Sequence, residues 1–401
     1  MLRRCAAGAL LVVLASCGGS HGPATVVAPS SPADTLGLVV SSNPADHPRF
    51  LCDGVEDDVE INAAIHSADS ASHWTVILRP GTYHVHHGIA VLSNVTLRGA
   101  GPGTIIQLDD DAPPMISVAG IIRAKDDSQT GAGRRVHNVT IQDFVVDGNR
   151  AHQPATPDEK KFGFYAEGDF VTLRRLVSRN CSGYGFDAHA NDDSIPTTNL
   201  VLEDCESFGN LTDGFTLDMV RNSTIQRNYS HDNDRHGFNL VTRSSDFTIS
   251  SCRSVHNGGS GLMAQNGTHD IVVRACEFTN NGLQGIFLRD ADGCSVLGNT
   301  LRDNSRSGLL LRLADHTTVT GNSLAESDTG SVGRSIVTLD SATVNEIATN
   351  TLVSSTAKQG VLESGTSDFN SVRGNVITLR PGAVHILLIG PHTTQSDNQL
   401  H

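Results

Sequence analysis

Three side chains within six residues define the chemistry to be explained. The stretch Asn180-Cys181-Ser182-Gly183-Tyr184-Gly185-Phe186-Asp187-Ala188-His189 holds a phenol at Tyr184, a carboxylate at Asp187 and an imidazole at His189. A phenol and an imidazole can each act as general acid or base when positioned against a reacting group. On either side of a ring, they suit attack on a carbon-bound proton next to a carboxylate. One group takes the proton while a cation or hydrogen-bond donor absorbs the charge that builds on the carboxylate. If an acid on the opposite face returns a proton, the centre inverts. If a linked group leaves instead, the chain breaks. The sequence does not decide which of Tyr184 and His189 takes the proton.

The stretch recurs, so its carrier is repetitive. Aligned on Gly185, the same turn returns at Gly163, Gly214, Gly237, Gly261, Gly285 and Gly308, at steps of 22 to 29 residues. An asparagine stands four residues before most of these glycines: Asn210, Asn233, Asn257, Asn281 and Asn304. A period in the twenties with such punctuation means stacked coils, each hiding its apolar face against its neighbours. The first and third residues after each glycine are apolar, as in Phe186 and Ala188 or Phe238 and Leu240. That is the period of a half-buried strand, and a leucine-dense consensus with a helix per repeat is absent. The expected fold is all-β, a single-stranded right-handed parallel β-helix, its hand following from the preference of parallel crossovers.

The register also assigns the outside. Residues one before, two after and four after each glycine should face solvent, in columns whose members stand about 4.8 Å apart. These columns gather Tyr184, Asp187, His189, Asp218, Arg235, His236 and Asn239 on one outer face, from three adjacent coils. A long groove of this kind suits an extended polymer. A polyanion there needs local cations, for which Arg123, Lys160, Arg235, Arg289 and Arg312 are candidates, or a bridging calcium ion. Each residue taken alone also has a bland reading. Asp187 and His189 would be polar residues on a solvated strand, Lys160 a solvated loop lysine, and Arg235-His236 a solvated turn.

Other segments carry their own signals. Residues 1–16 join Arg3 and Arg4 to an apolar run too short to span a bilayer, and read as a signal peptide. Leu14-Ala15-Ser16-Cys17 resembles a lipoprotein cleavage box, which would leave Cys17 lipidated and the exported protein tethered to a membrane through that lipid. Residues 17–45 form the expected flexible tether, and residues 46–401 the catalytic β-helix. Asp57 to Ala68 has acids followed by apolar residues at helical spacing, a short helix suited to plug the first coil. Ala151 to Asp169 breaks the rhythm and reads as a loop over the active face. Coils are expected to continue to near residue 380. Cys205, Cys252 and Cys276 each lie nine residues before their glycine, in a column continued by Asn228 and Asn299. They read as buried thiols in an inward ladder rather than as disulfides. A formal net charge of −14 argues against nucleic acid as a partner. A monomer is expected.

Tyr184-Gly185-Phe186-Asp187-Ala188-His189 closely resembles the signature Tyr-Gly-Phe-Asp-Pro-His-Glu of the catalytic A-module of secreted mannuronan C5-epimerases. Asp147-Gly148-Asn149-Arg150, Asp213-Gly214-Phe215 with Asp218, and Asn233-Asp234-Arg235-His236-Gly237-Phe238-Asn239 followed by Val241-Thr242 resemble further motifs in the same order. The resemblance runs from roughly residue 50 to 380. It implies a pectin-lyase-like β-helix that converts β-D-mannuronate to α-L-guluronate within alginate-type polyuronates. It implies that Tyr184 and His189 are the acid/base pair and that Asp187 belongs to the same site. Lys160, three residues before Gly163, then matches the family's active-site lysine, with Lys161 as the alternative. Polymer contacts are implied for Arg123, Asp218, Arg235, His236, Asn239 and Arg289, and calcium as cofactor with no site assigned. Two positions depart from the signature: Ala188 stands for proline and Ala190 for glutamate. Ala188 points inward in this register, while Ala190 removes an acid beside His189.

Two readings from other classes stay open. A β-helix polyuronate lyase shares the base and the charge neutralisation. A non-catalytic polysaccharide binder would keep the groove and lose the reaction. A glycosidase is disfavoured, since no facing columns supply a carboxylate pair with acid and base geometry.

Overall fold

The computed structural model describes residues 37–401 except 72–74, 116–119, 130, 155–160, 191–194 and 327–333. The signal segment, Cys17, most of the tether and Lys160 lie outside the described residues.

Each coil turns tightly because its glycine makes room. A Cβ on Gly185 would stand 1.9 Å from the Ser207 hydroxyl, and one on Gly237 would stand 2.0 Å from that of Ser254. The repeat glycine is therefore required for space. The strand that follows it joins a twelve-stranded sheet running from Ile89–Val91 to Val384–Leu387. Within it, Phe186 pairs in parallel with Phe164 on one side and Phe215 on the other. The remaining strands wrap the other sides of the solenoid as a 29-stranded sheet. The architecture is the parallel β-helix that the period implied.

Inward side chains stack like on like. The rings of Phe164, Phe186, Phe215 and Phe238 follow one another at centroid distances of 4.7, 4.8 and 5.0 Å, nearly parallel. Strand spacing sets ring spacing. Each ring is fully buried, and such burial contributes roughly 1.5–3 kcal/mol. The column continues as Leu262, Ile286, Leu309 and Val337.

Polar ladders hold the turns. The backbone N–H groups of Asn210, Asn233, Asn257 and Asn281 each donate to the side-chain oxygen of the asparagine one coil on, at 3.1–3.2 Å. Their Nδ2 groups donate to the same oxygens. The run reaches Glu326, whose Oε2 accepts from the Asn304 N–H at 3.1 Å. A second ladder passes through the cysteines. Cys205 N–H donates to Asn228 Oδ1 at 3.0 Å, Asn228 N–H to Cys252 Sγ at 3.4 Å, Cys252 N–H to Cys276 Sγ at 3.3 Å, and Cys276 N–H to Asn299 Oδ1 at 2.9 Å. Cys205, Cys252 and Cys276 are buried free thiols, as the register predicted, and so are Cys52, Cys181 and Cys294.

Helix α1, Asp58–Ala71, covers the first coil. Its Ile61, Ala64, Ile65 and Ala68 are fully buried in the same core as the strands. The plug predicted over Asp57 to Ala68 thus exists, shifted by a residue at its start and three at its end.

Two expectations need correction. The segment from Ala151 to Asp169 is not a loop throughout, since strands Phe164–Ala166 and Gly168–Arg179 begin within it. Gly163 already sits in coil register there. The coils also do not stop near residue 380. Val384–Leu387, Thr394–Ser396 and Gln399–Leu400 still pair in parallel, and the second ladder, which runs on from Asn299 through Asn322 and Asn350, continues from Asn375 to Asn398. These coils lack the glycine signature, so the sequence pattern faded before the structure did.

Candidate active site

The strand Phe186–Ala188 sends Phe186 and Ala188 into the core, which leaves Asp187 on the outer face. Asp187 lies between Tyr165 on the preceding coil and Thr216 on the next. The column then runs to Asn239, Met263 and Phe287, as the register predicted. Its exposure differs from the expectation. Asp187 is 4% exposed, Asp213 0% and Asn239 4%, and Tyr165 and Glu167 are buried with them. Columns one strand apart leave little room for water between members, so outward polar groups satisfy one another instead.

His189 leaves the end of that strand with its backbone pinned. Its N–H donates to the Ala166 carbonyl at 2.9 Å, and its own carbonyl accepts from the Thr197 hydroxyl at 2.9 Å. The half-buried ring brings Nδ1 to 3.4 Å from Asp218 Oδ2 and 3.9 Å from Asp187 Oδ2. Tyr184 leaves the other end of the same turn and packs on Phe162 at 4.8 Å between centroids. Burial, with Asp187 and Asp213 nearby, pushes its phenol up to about 12 against the opposing pull of Arg235. Tyr184 is therefore a protonated donor at neutral pH. One turn holds a proton donor at one end and an imidazole between two carboxylates at the other.

Asp213 is the hub that the sequence reading passed over. Its Oδ1 accepts from the His236 N–H at 2.9 Å and stands 3.9 Å from Arg235 Nε. Its Oδ2 accepts from Asn239 Nδ2 at 2.8 Å. Thus Arg235, His236 and Asn239 are gathered, but around Asp213. His236 Nδ1 accepts from the Ser260 N–H at 2.9 Å, which leaves any proton of the neutral ring on Nε2. Burial lowers the basicity of His236, with Asp213 opposing and Arg235 adding to the effect. The signal for Asp213 was present, because it occupies the position of Tyr184 and His236 directly before the repeat glycine.

A second group beside His189 was missed. The Tyr165 hydroxyl donates to Glu167 Oε2 at 3.1 Å, and Lys125 Nζ lies 3.7 Å from the same oxygen and 5.0 Å from the Tyr165 ring centroid. The Tyr165 and His189 rings are 6.0 Å apart. All three members are buried, and burial lowers the basicity of Lys125.

The remaining candidates stand apart. Arg123 is buried, pairs with Asp127 and donates to the Gly120 and His87 carbonyls at 3.3 and 3.4 Å. Lys161 is fully buried and donates to the Ala112 carbonyl at 2.7 Å and to Gln153 at 2.8 Å, so it does not reach the groove as a free cation. Arg289 and Arg312 are exposed and adjacent in register. They lie four and five coils from His189, and Arg312 pairs with Asp340 at 2.7 Å. Ala188 faces the core as expected, and Ala190 is buried as well.

Among the described residues, Cys52, Asp57 and Glu60 bring potential metal ligands within 4.8 Å of one another. They do not fit calcium, which takes six to eight oxygens. One of the three is a thiol, and Asp57 already accepts from the backbone N–H groups of Gly54 and His84, each at 2.8 Å. No step of the chemistry below runs through a metal ion.

Comparison with known proteins agrees with this geometry. The family described as "Right handed beta helix region" matches residues 120–282 and 240–377. Mannuronan C5-epimerase AlgE2 of Azotobacter vinelandii is 36% identical over 260 residues, covering 60% of this chain and 25% of that protein. Alginate lyase 7 of the same organism is 35% identical over 211 residues, covering 48% of this chain and 23% of that protein. The chain thus spans about a quarter of the length of these curated relatives. The A-module structure of Azotobacter vinelandii mannuronan C-5 epimerase AlgE6 superposes with a TM-score of 0.77 at 30% identity, covering 87% of this chain and 96% of the module. With the right-handed coil, the Tyr184-to-His189 turn and a full-length match to that module, the chain belongs to the mannuronan C5-epimerase A-module family of right-handed β-helices.

Proposed function

We propose that this chain is a polyuronate C5-epimerase that turns β-D-mannuronate into α-L-guluronate residues within an alginate-type polymer. The observation that carries this reading is the single turn that pairs a phenol held protonated, Tyr184, with an imidazole between two carboxylates, His189. The polymer lies along the outer face of the twelve-stranded sheet. His189, its ring set between Asp218 and Asp187, takes the C5 proton. Arg235, whose charge acts on Tyr184 and which stands 3.9 Å from Asp213, offsets charge on the substrate carboxylate as it becomes enediolate-like. Tyr184 returns a proton from the opposite face, and the centre inverts.

Proton NMR of polymannuronate incubated with the protein in calcium and deuterated water tests the reading. Guluronate signals with deuterium at C5 support it, and an unchanged polymer discards it. One observation favours a second reading, since the relatives include an alginate lyase with the same degree of identity. Elimination would use the same base and leave unsaturated ends, seen as ultraviolet absorbance without guluronate. The family resemblance also supports a calcium requirement. Turnover lost on adding EGTA and restored by calcium would sustain it, and turnover indifferent to EGTA would remove it. We further propose an exported, lipid-anchored monomer. Cys17→Ala should release it from the membrane fraction, and retention there would refute the anchor.

A further inference from the structure

The strand Gly81–Val85 belongs to the other, 29-stranded sheet and leads into Tyr83-His84-Val85-His86-His87. Tyr83 and Val85 are fully buried, so alternation turns His84 and His86 outward on one side. The parallel strand Thr104–Leu108 sets Gln107 beside His84 and Leu108 beside Val85. The Asp109 N–H then donates to the Val85 carbonyl at 2.9 Å, which brings Asp109 level with His86. Its two oxygens meet the two imidazoles: His84 Nδ1 stands 3.7 Å from Oδ1 and His86 Nδ1 3.6 Å from Oδ2. The other histidine–acid pairs, such as His269 with Asp270 and His392 with Asp368, bring one imidazole to a carboxylate. Here one carboxylate joins two.

The backbone beneath these ligands is fixed. The His84 N–H donates to Asp57 Oδ2 at 2.8 Å and the His86 N–H to Asp58 Oδ1 at 2.7 Å. Both histidines therefore project from a strand locked to the start of α1. His87 turns to Asp58, with Nδ1 3.9 Å from Oδ2.

We propose that His84, His86 and Asp109 form a binding site for a borderline-soft divalent cation, zinc in the first instance. Two imidazoles and one carboxylate are a ligand set for zinc, copper or nickel, whereas calcium and magnesium take oxygen. With metal–ligand bonds of about 2.0–2.2 Å, neighbouring ligand atoms of a tetrahedral site stand roughly 3.4 Å apart. The two nitrogen–oxygen gaps are close to that figure. Each imidazole now faces a different oxygen of Asp109, and the three ligand atoms are not mutually within 4.8 Å as those of Cys52, Asp57 and Glu60 are, so the half-buried rings must turn about their side-chain torsions to share one cation, with water completing the shell. The site lies on a different sheet from Tyr184 and His189, and does not depend on the reading of the groove.

Calorimetric titration of the metal-stripped full-length protein with zinc, in calcium-containing buffer, tests the proposal. One zinc per chain should bind. His84→Ala and His86→Ala should each weaken binding by about tenfold or more, and Asp109→Asn should weaken it too. Cobalt added in place of zinc should give visible absorption that the double variant His84→Ala/His86→Ala abolishes. His269→Ala and His392→Ala serve as controls and should leave the titration unchanged. All these side chains reach solvent, and thermal melts would confirm that the variants fold. Absence of stoichiometric binding, binding indifferent to the double variant, or equal losses in the control variants would each overturn the site.

Discussion

The asparagine ladder and the outer column beside it run through the same coils, yet one is uniform and the other changes at every step. Asn210, Asn233, Asn257, Asn281 and Asn304 repeat one bonding pattern, each side-chain oxygen taking the N–H of the coil before. The outer column reads Tyr165, Asp187, Thr216, Asn239, Met263 and Phe287, moving from polar to apolar along the solenoid. A ladder residue must satisfy two neighbours with one geometry, so only a side chain that offers an acceptor at that point fits. An outer residue adds to the stack without closing a turn, so each coil is free to change it. The groups to which we assign catalysis lie where that freedom exists, and they stand on a frame that has little.

Substitution should separate the two. On the outer face, Tyr184→Phe keeps the ring against Phe162 and removes the proton. We expect turnover to fall by roughly 10²–10⁴-fold, the usual worth of a positioned acid, with the melting temperature unmoved. Near-parental turnover would take the phenol out of the mechanism. On the frame, Asn257→Ala should do the reverse. It orphans the Asn233 N–H, which donates to Asn257 Oδ1 at 3.2 Å, and removes the Asn257 Nδ2 donation to the Ser230 carbonyl at 3.2 Å. Buried donors left unsatisfied cost about 1–3 kcal/mol each. Denaturant titration should show a loss of about 1–3 kcal/mol, while the protein that remains folded keeps its activity. A loss confined to activity would collapse the distinction.

The ladder is weakest where its residue type changes. Glu326 is buried and takes the Asn304 N–H at the place of an asparagine. Burial, with Asp303 adding, pushes its carboxyl from 4.5 up to about 9. The folded protein therefore holds this proton more tightly than the unfolded chain does. Its contribution to stability is whole below about pH 4.5 and is lost as pH rises towards 9. Glu326→Gln keeps an oxygen for Asn304 and has no proton to lose. Its melting temperature should match the parent near pH 5 and exceed it by several degrees near pH 8.5. Identical pH dependence in the two proteins would show that Glu326 titrates normally.

Much of this was legible in the sequence, because a solenoid repeats its constraints. The glycine marked the position where a Cβ would strike the next coil, a serine hydroxyl at Gly163, Gly185, Gly214 and Gly237, and the alternation after it gave the core. The cysteine column followed from its asparagine members. What escaped was of two kinds. Lys125 and Glu167 form a buried pair beside His189, but in the Lys125 coil the glycine position is held by Ile121, whose strand Ile122–Ala124 pairs with Phe164–Ala166. Without that glycine the coil could not be aligned. Asp213 was aligned correctly and its role missed, because register says which way a side chain points and not which members of a column bond across coils. The burial of the outer columns escaped for the same reason.

The smallest effect is expected where ladder members are exchanged for one another. Cys276 accepts the Cys252 N–H on Sγ at 3.3 Å and donates its own N–H to Asn299 Oδ1 at 2.9 Å. In Cys276→Asn the new Oδ1 takes the place of the sulfur. The new Nδ2 meets Asn299 Oδ1 just as Asn299 Nδ2 meets Asn322 Oδ1 at 3.0 Å. Stability should move by less than about 1 kcal/mol. Cys276→Leu matches the burial but offers no acceptor to Cys252, and should be clearly worse than asparagine. If leucine is tolerated as well as asparagine, the cysteines are held in this column by volume alone. The ladder would then owe its uniformity to packing, and the line between frame and face would have to be drawn by shape, not by hydrogen bonds.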